Sequence, residues 1–506
     1  MGRFREIERK FDTEPGVSLP DLTTVDGVAT VTEPSDTALE ATYFDTADLS
    51  LIGHRTTLRR RTGGADEGWH LKLPGGGEER TEVRLPLRRS SDNVPKALVK
   101  EVAALVRNRR LTPVAVLRTT RLERRLLDEE GNELALIADD TVRAERPRHG
   151  SVELSSWREI EVELVHGDQA LLDAVSHALE AAGVRRSASA SKLQRAIGDL
   201  APAKARPAEL TKRSRAGDVV LAHLRGQVEE LLDRDRGART DAPDAVHKMR
   251  VATRRLRSAL ATYRPLLDRD RTDPLRDELK WLGGELGRPR DAEVMRDRLG
   301  ELADEQPDEL LLGPVHRRID IELGKRHQTA HNALLKALEK GRYLRLLDAL
   351  DELVAQPPFT GDARKRARRG LPSMVARACR RFDKAVAAAD AATDSEQRDV
   401  LLHEVRKAAK RARYAAESVA PAFGKPAWRL GKRMEKVQEV LGEHQDSVVT
   451  RQVLRELGVA AHGARENGFS FGLMHGVERA RGEAAKRAYR PTLRAASRKR
   501  VRKWMT

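Results

Sequence analysis

Along residues 1–200, polar and apolar positions alternate in short runs: Arg5–Phe11, Thr57–Arg61, Trp69–Leu73, Thr81–Leu87, Arg121–Leu127, Glu133–Ala138 and Arg158–Leu164. A period of two puts successive side chains on opposite faces of a strand. Turn-forming clusters separate the runs: Thr62-Gly63-Gly64, Gly75-Gly76-Gly77 and Asp128–Asn132. Many short strands with such turns predict an antiparallel sheet or barrel, interrupted by helical pieces near Pro95–Arg109 and Gln169–Ala182. Beyond residue 214 the period changes to about 3.6, the signature of amphipathic helices. The pattern predicts helices over 215–234, 242–264, 272–287, 291–303, 316–339, 343–355, 363–389, 397–418, 426–441, 446–457 and 471–488. The stretch between the two regimes carries Pro202 and Pro207 and reads as a linker. The chain is therefore expected to be α+β, with an N-terminal β domain over 1–198 and a linker over 199–213. An all-α domain over 214–490 and a basic tail over 491–506 complete it, with the basic run Arg498–Lys503 expected to fray.

The helical part repeats itself. His247, Arg250, Arg254, Arg255 and Arg257, followed by Leu286-Gly287-Arg288-Pro289-Arg290-Asp291, recur as His403, Arg406, Lys410, Arg411 and Arg413, followed by Leu441-Gly442-Glu443-His444-Gln445-Asp446. The offset is 156 at the start and 155 at the end; within it Arg276 matches Lys432, and Lys280 matches Lys436. Two related helical bundles with pseudo-twofold symmetry are expected.

Composition narrows the chemistry. One cysteine, Cys379, excludes a disulfide framework and a cysteine-based zinc site. No apolar run approaches the ~18 residues of a membrane span. The charged Met1–Lys10 stretch argues against a secretory signal, so a cytoplasmic protein is expected. The net charge of +17 is unevenly spread. Residues 1–200 hold 30 Lys+Arg against 34 Asp+Glu, and the remainder holds 65 against 44. The excess positive field, confined to the helical part, attracts polyanions. Aromatics are only 4% of the chain, too few for extensive base stacking, which disfavours nucleic acid as the partner.

In the β part, charged residues share strand faces: Glu6, Glu8 and Lys10; Arg59 and Arg61; His70 and Lys72; Glu82 and Arg84; Arg121, Glu123 and Arg125; Glu159, Glu161 and Glu163. A solvated outer face accounts for any one of these strands. The recurrence of mixed charge on several strands favours a charged barrel interior, because a closed barrel has no edges and can hold a polar lumen. Paired carboxylates are hard oxygen ligands for Mg²⁺ or Mn²⁺, and facing Arg and Lys grip phosphate oxygens. Together they suit metal-assisted phosphoryl transfer.

These residues carry a resemblance. Glu6-Ile7-Glu8-Arg9-Lys10 resembles the E-x-E-x-K signature of the CYTH family, the triphosphate tunnel metalloenzymes. Tyr43-Phe44-Asp45-Thr46, Leu58-Arg59-Arg60-Arg61, Trp69-His70-Leu71-Lys72, Arg158-Glu159-Ile160-Glu161 and Ser191-Lys192-Leu193 follow in matching order. The resemblance implies an eight-stranded antiparallel tunnel that hydrolyses or cyclises triphosphates with Mg²⁺ or Mn²⁺. It implies Glu6, Glu8, Glu159 and Glu161 as metal or water-activating ligands, with Glu6, Glu8 and Glu161 catalytic. It further implies Lys10, Arg59, Arg61, Lys72, Arg121 and Lys192 as triphosphate binders. A further acidic ligand falls at Asp139 or Asp140. Arg84 stands where many members carry an acid, which either removes a ligand or adds a phosphate contact.

At about 100° per residue, His247, Arg250, Arg254 and Arg257 fall within an arc of roughly 80°, opposite Met249, Ala252, Leu256, Ala259, Leu260 and Tyr263. His403, Arg406, Lys410 and Arg413 repeat the stripe. Solubility needs charge but not a duplicated pattern. Two such stripes related by a pseudo-twofold would line a basic groove for a long, flexible polyanion, with the histidines adding hydrogen bonds when protonated. The repeat is similar to the CHAD family of histidine-containing helical domains, a resemblance that implies inorganic polyphosphate binding. Lys280 and Lys436 join the candidate contacts. Asp291 and Asp446 are read as helix N-caps.

The reading expected from sequence is a metal-dependent triphosphatase, acting on inorganic triphosphate or a related compound, whose helical domain binds polyphosphate. The alternatives are a non-enzymatic polyphosphate-binding protein associated with polyphosphate granules and, third, a nucleic-acid-binding protein.

Overall fold

The computed structural model describes residues 2–14, 16–75, 78–87, 93–148, 151–200 and 209–505. The chain forms two compact units, Met1–Arg206 and Pro207–Thr506. Residues 201–208 of the expected linker lie outside the described residues.

Among the described residues, the first unit is built on ten strands: β1 Gly2–Thr13, β2 Thr30–Val31, β3 Ser35–Asp45, β4 Thr57–Thr62, β5 Gly68–Pro74, β6 Glu79–Leu85, β7 Thr112–Leu127, β8 Glu133–Arg148, β9 Ser151–Leu164 and β10 Arg185–Arg186. Eight of them follow one another as β1-β6-β5-β4-β3-β7-β8-β9, and β9 pairs back onto β1 to close an antiparallel barrel. The two-residue strands β10 and β2 attach to β1 and β7.

The apolar residues of the alternating strands point outward, under flanking helices. The helix Gln169–Ala181 lays Leu172, Val175 and Leu179 against Phe11, Ile160 and Val162. The short helices Lys96–Glu101 and Ala103–Val106 cover Leu58, Trp69, Leu71 and Val83 with Leu98, Val102 and Val106. The helix Lys192–Ile197 packs Leu193 and Ile197 on Leu117 and Val142. Each such fully buried side chain stabilises the fold by about 1.5–3 kcal/mol, so the barrel is held from outside and its bore is left free for charge. Strand β3 lies outside the strands that alternation predicts, because Ser35, Asp36, Thr37, Glu40 and Thr42 give it little apolar signal.

The second unit contains ten long helices between Ala216 and Ala496. The repeat maps onto them. Ala216–Arg239 and Ala367–Ala391 open the two copies, Ala245–Thr262 and Ser395–Phe423 carry the stripes, and Val315–Leu338 corresponds to Phe469–Ala496. Arg269–Glu285 and Gly287–Asp304 match one continuous 39-residue helix, Lys425–Gly463. Pro289, which lacks a backbone donor, interrupts the first copy; His444 stands in its place in the second. The expected break between 441 and 446 is therefore absent. The tail is not frayed either. Residues 491–496 complete the helix Phe469–Ala496, and the short helix Lys499–Arg502 follows. Arg502 pairs with Asp383 at 2.6 Å, and Trp504 packs on Phe423. Among the described residues, no helix is long and apolar enough to cross a membrane.

Candidate functional site

The inverted barrel brings the shared-face charges together. On β1, Phe11 enters the outer core and Arg9 reaches Leu172 O and Ser176 Oγ of the covering helix, which turns Glu6, Glu8 and Lys10 inward. On β5, Trp69 and Leu71 face outward and His70 and Lys72 inward; on β6, Val83 separates the inward Glu82 and Arg84. Lys192 arrives by a different route. The Ser191 hydroxyl accepts from Gln194 N at 3.1 Å and caps the helix Lys192–Ile197. Packing of Leu193 and Ile197 then drives the lysine into the bore, where it is 7% exposed.

Register sets the pairings. Lys10 lies opposite Glu161, Arg121 opposite Asp140, and Asp140 opposite Glu159. Lys192 Nζ stands 2.9 Å from Asp140, 2.8 Å from Glu159 and 2.6 Å from Glu161. Arg121 grips Asp140 with two bonds, 2.8 and 2.7 Å, and Glu161 at 3.1 Å. Lys72 meets Glu6 at 2.6 Å and Glu8 at 3.6 Å, and Lys10 bonds Glu161 and meets Glu8 at 3.3 Å. On the other wall Arg59 reaches Tyr43 Oη at 3.3 Å and Glu82 at 3.8 Å, and Arg61 pairs with Asp66.

Burial and neighbours move the proton affinities apart. Burial and the nearby Glu82 raise Glu6 to about 7. Burial would raise Glu8 as well, but Lys10, Lys72 and Arg80 hold it down to about 2. Glu161 and Asp140, although buried, are held below the usual carboxylate range by Lys192, Arg121 and, for Glu161, Lys10. Burial, together with Arg59 and Arg121, lowers Arg61 to about 9. Burial and the fields of Arg59 and Arg61 lower His70 to about 4 despite its bond to Glu82.

Five placements correct or complete the sequence reading. Asp139 leaves the candidate metal set: it faces away from the bore and holds Arg158 at 2.8 and 2.7 Å, while Arg158 ties down Val17 O. Asp140, one residue on, is the inward acid. Glu82, fully buried, belongs to the bore but was absent from the candidates; its signal was its two-residue spacing from Arg84. Arg84 bonds Glu82 and lies 3.2 Å from Glu6, so it neutralises carboxylates at that wall. Asp45 of the Tyr43–Thr46 segment is structural, accepting the backbone N–H groups of Thr46, Leu51 and Ile52.

The donor chemistry fits a hard divalent cation. Glu6, Glu8, Asp140, Glu159 and Glu161 supply carboxylate oxygens, and Glu8 Oε1 is buried without a hydrogen-bond partner. Among the described residues, no three acidic, histidine or cysteine side chains converge closely enough to hold an ion. Lysine amino groups stand between the carboxylates instead.

In the second unit the stripe helices pack on each other. Tyr263 Oη meets Ser418 Oγ at 2.6 Å, Arg255 pairs with Glu417 at 2.9 Å, and Arg254 reaches Tyr414 Oη at 3.4 Å. Met249, Ala252, Leu256 and Leu260 are buried as the period required. The facing stripes crowd cations. Burial and the fields of Arg254, Arg406, Arg250 and Arg413 lower Lys410 to about 7. Partial burial lowers both His247 and His403, assisted by Arg290, Arg254 and Arg250 for the first and by Lys407, Arg406 and Lys410 for the second. Arg257 is lowered by burial and by Arg411, Arg276 and Arg254. Arg413 is already engaged by Glu417 and Glu435. Lys436 turns to solvent beside Glu439, and Lys280 lies on an exposed helix face with Trp281 and Arg288.

Asp291 and Asp446 are not N-caps. Both sit inside helices, where Asp291 binds Arg250 at 2.8 Å and Arg406 acts on Asp446. Four residues earlier, Gly287 and Gly442 leave room for the same two guanidinium groups; a Cβ there would lie 3.3 and 3.2 Å from Arg250 and Arg406. The recurring Gly-x-x-x-Asp thus seats the stripe arginines.

A closed antiparallel barrel with a charged bore, followed by a helical repeat, defines the class, and comparison with known proteins agrees. The CYTH domain model matches residues 5–197 and the CHAD domain model residues 222–455. An uncharacterized protein of Mycobacterium tuberculosis (strain CDC 1551 / Oshkosh) is 38% identical over 493 residues, 94% of this chain and 93% of its own. Among solved structures, PptA from Streptomyces chartreusis is 23% identical, covering 56% of this chain and 100% of its own, with a TM-score of 0.47. The CHAD domain from the plant Ricinus communis is 24% identical, covering 58% and 97%, with a TM-score of 0.45. The chain belongs to the family of proteins in which a CYTH domain is followed by a CHAD domain, and its first unit belongs to the triphosphate-tunnel enzymes.

Proposed function

We propose that the first unit hydrolyses inorganic triphosphate, or a related triphosphate, with Mg²⁺ or Mn²⁺, and that the stripe groove of the second unit binds inorganic polyphosphate. The observation that carries the reading is the bore itself. Carboxylates on β1, β8 and β9 alternate with Lys10, Lys72, Arg121 and Lys192 inside a closed barrel. Substrate phosphates offer these cations oxygens that compete with the carboxylates. As the lysines turn to the substrate, Glu6, Glu8, Glu159 and Glu161 are released as oxygen donors. A divalent cation held there would polarise the phosphoryl group and lower the pKa of water. Water adds to the terminal phosphorus, the bridging P–O bond breaks, and orthophosphate and pyrophosphate result. Arg59, Arg61, Arg121 and Lys192 stabilise the charge that develops on the phosphoryl oxygens.

In the groove, Arg250, Arg254, Arg257, Arg406 and Lys410 bear excess positive charge that a chain of phosphates relieves. A second reading, a polyphosphate-binding protein with an idle tunnel, is favoured by the present saturation of the carboxylates with lysine and by Arg84 at an acid's position. Phosphate release by the full chain from triphosphate, nucleoside triphosphates and thiamine triphosphate, with each metal and with chelator, separates the two. Release only with metal supports the first reading; no release from any substrate supports the second.

A further inference from the structure

A basic concavity lies in the second unit, on residues outside both stripes. Arg213, Lys365, Arg366, Arg368 and Arg369 line a cavity of about 480 Å³. It sits at the seam between the two copies of the helical repeat. There Ala216 N donates to Lys365 O and Ala367 N to Ser214 O, both at 2.8 Å, a reciprocal pair that joins the starts of the two opening helices. All five side chains are exposed. Lys365 pairs with Asp362 at 2.7 Å; among the described residues, the guanidinium groups of Arg213, Arg366, Arg368 and Arg369 have no carboxylate partner within ion-pair distance.

Folding does not account for this arrangement. Some exposed arginines of the unit are answered by acids, as Arg271 is by Glu352 and Arg342 by Glu278. Here five cations face one hollow, and arginine fills the N-cap of both adjoining helices without a side-chain capping bond, where an acceptor is preferred. Like charges gathered without counter-charge oppose one another, and a multiply charged anion relieves them. Guanidinium forks match phosphate oxygens in pairs. The volume suits a compact anion rather than a long chain.

The geometry points to a separate oligophosphate site at this seam, taking a free anion of two or three linked phosphoryl groups independently of the stripe groove. The test is arginine footprinting of the full chain with phenylglyoxal and peptide mass spectrometry, using inorganic triphosphate and long-chain polyphosphate as probes. Triphosphate at ten times its dissociation constant should slow modification of Arg366, Arg368 and Arg369 roughly tenfold. The same protection is expected in the Arg250→Ala, Arg406→Ala double variant, and sodium chloride of equal ionic strength should not reproduce it. Absence of protection by triphosphate overturns the proposal. So does protection given equally by sodium chloride, or given only by the long chain and lost in the double variant, which would make the seam an extension of the groove. A groove without polyphosphate affinity, with the seam still protected, would refute the groove's proposed role and leave this site standing.

Discussion

Lys192 is the side chain on which the charge balance of the bore turns most heavily, and replacing it by methionine removes one cation from three carboxylates. The loss is unequal. Asp140 and Glu161 keep Arg121, and Glu161 also keeps Lys10. Glu159 loses its cation and keeps one donor, Trp157 Nε1 at 2.5 Å. Stranding one buried charge costs about 3 kcal/mol, at the low end of the range for breaking a buried pair. For a unit of this size that corresponds to a fall in Tm of roughly 6–12 °C. Lys192 is among the cations that hold Glu161 and Asp140 below the usual carboxylate range despite their burial, so the stability it contributes is present at neutral pH and is lost as pH falls through that range. Added Mg²⁺ should restore more stability to the variant than to the wild type, because it replaces a missing positive charge. Scanning calorimetry of the full chain at pH 7 and pH 4, with hydrogen exchange of β9 peptides to identify the barrel transition, measures this. An equal loss at both pH values would make Lys192 a packing residue, and no loss at either would refute the charge argument.

Other expectations separate neighbours that look alike in sequence. Asp140→Asn should lower triphosphate turnover by at least about tenfold, whereas Asp139→Asn should leave turnover unchanged and cost about 1 kcal/mol of stability by releasing Arg158, as kinetics and chemical denaturation would show. Asp291→Ala frees Arg250 and should tighten polyphosphate binding in a titration, while costing under about 1 kcal/mol because the pair is partly exposed. Polyphosphate affinity should fall as pH rises from 6 to 8: Lys410, near 7, and the lowered His247 and His403 take up protons when phosphate approaches, so binding is favoured at the acidic end. Arg250→Ala with Arg406→Ala should weaken polyphosphate binding and flatten its salt dependence, since fewer counterions are released (by the logic established for nucleic acid).

The alternation of charge in Glu6–Lys10, Arg59–Arg61 and Glu159–Glu161 already placed these residues on common faces, and the closed barrel turns those faces inward. Periodicity could not choose between Asp139 and Asp140, because adjacent acids occupy both faces. Register against Arg121 decides it. Glu82 shares its strand face with the cation Arg84, and its full burial against His70 and Arg59 makes it part of the same charge network. In the helical unit the stripes were legible as a repeat, but the role of Gly287 and Asp291 was not. A glycine before a proline reads as a break, and only the approach of Arg250 shows why the side chain is missing.

The central claim is that the carboxylates of the bore serve metal-assisted phosphoanhydride hydrolysis. Its most direct test is orthophosphate release from inorganic triphosphate by the full chain with Mg²⁺ or Mn²⁺ and with chelator, for the wild type and for Glu161→Gln. The account predicts turnover with metal, none with chelator, and a fall of at least about a hundredfold in the variant, whose fold is retained. Equal rates in metal and chelator, or an unaffected variant, would contradict it.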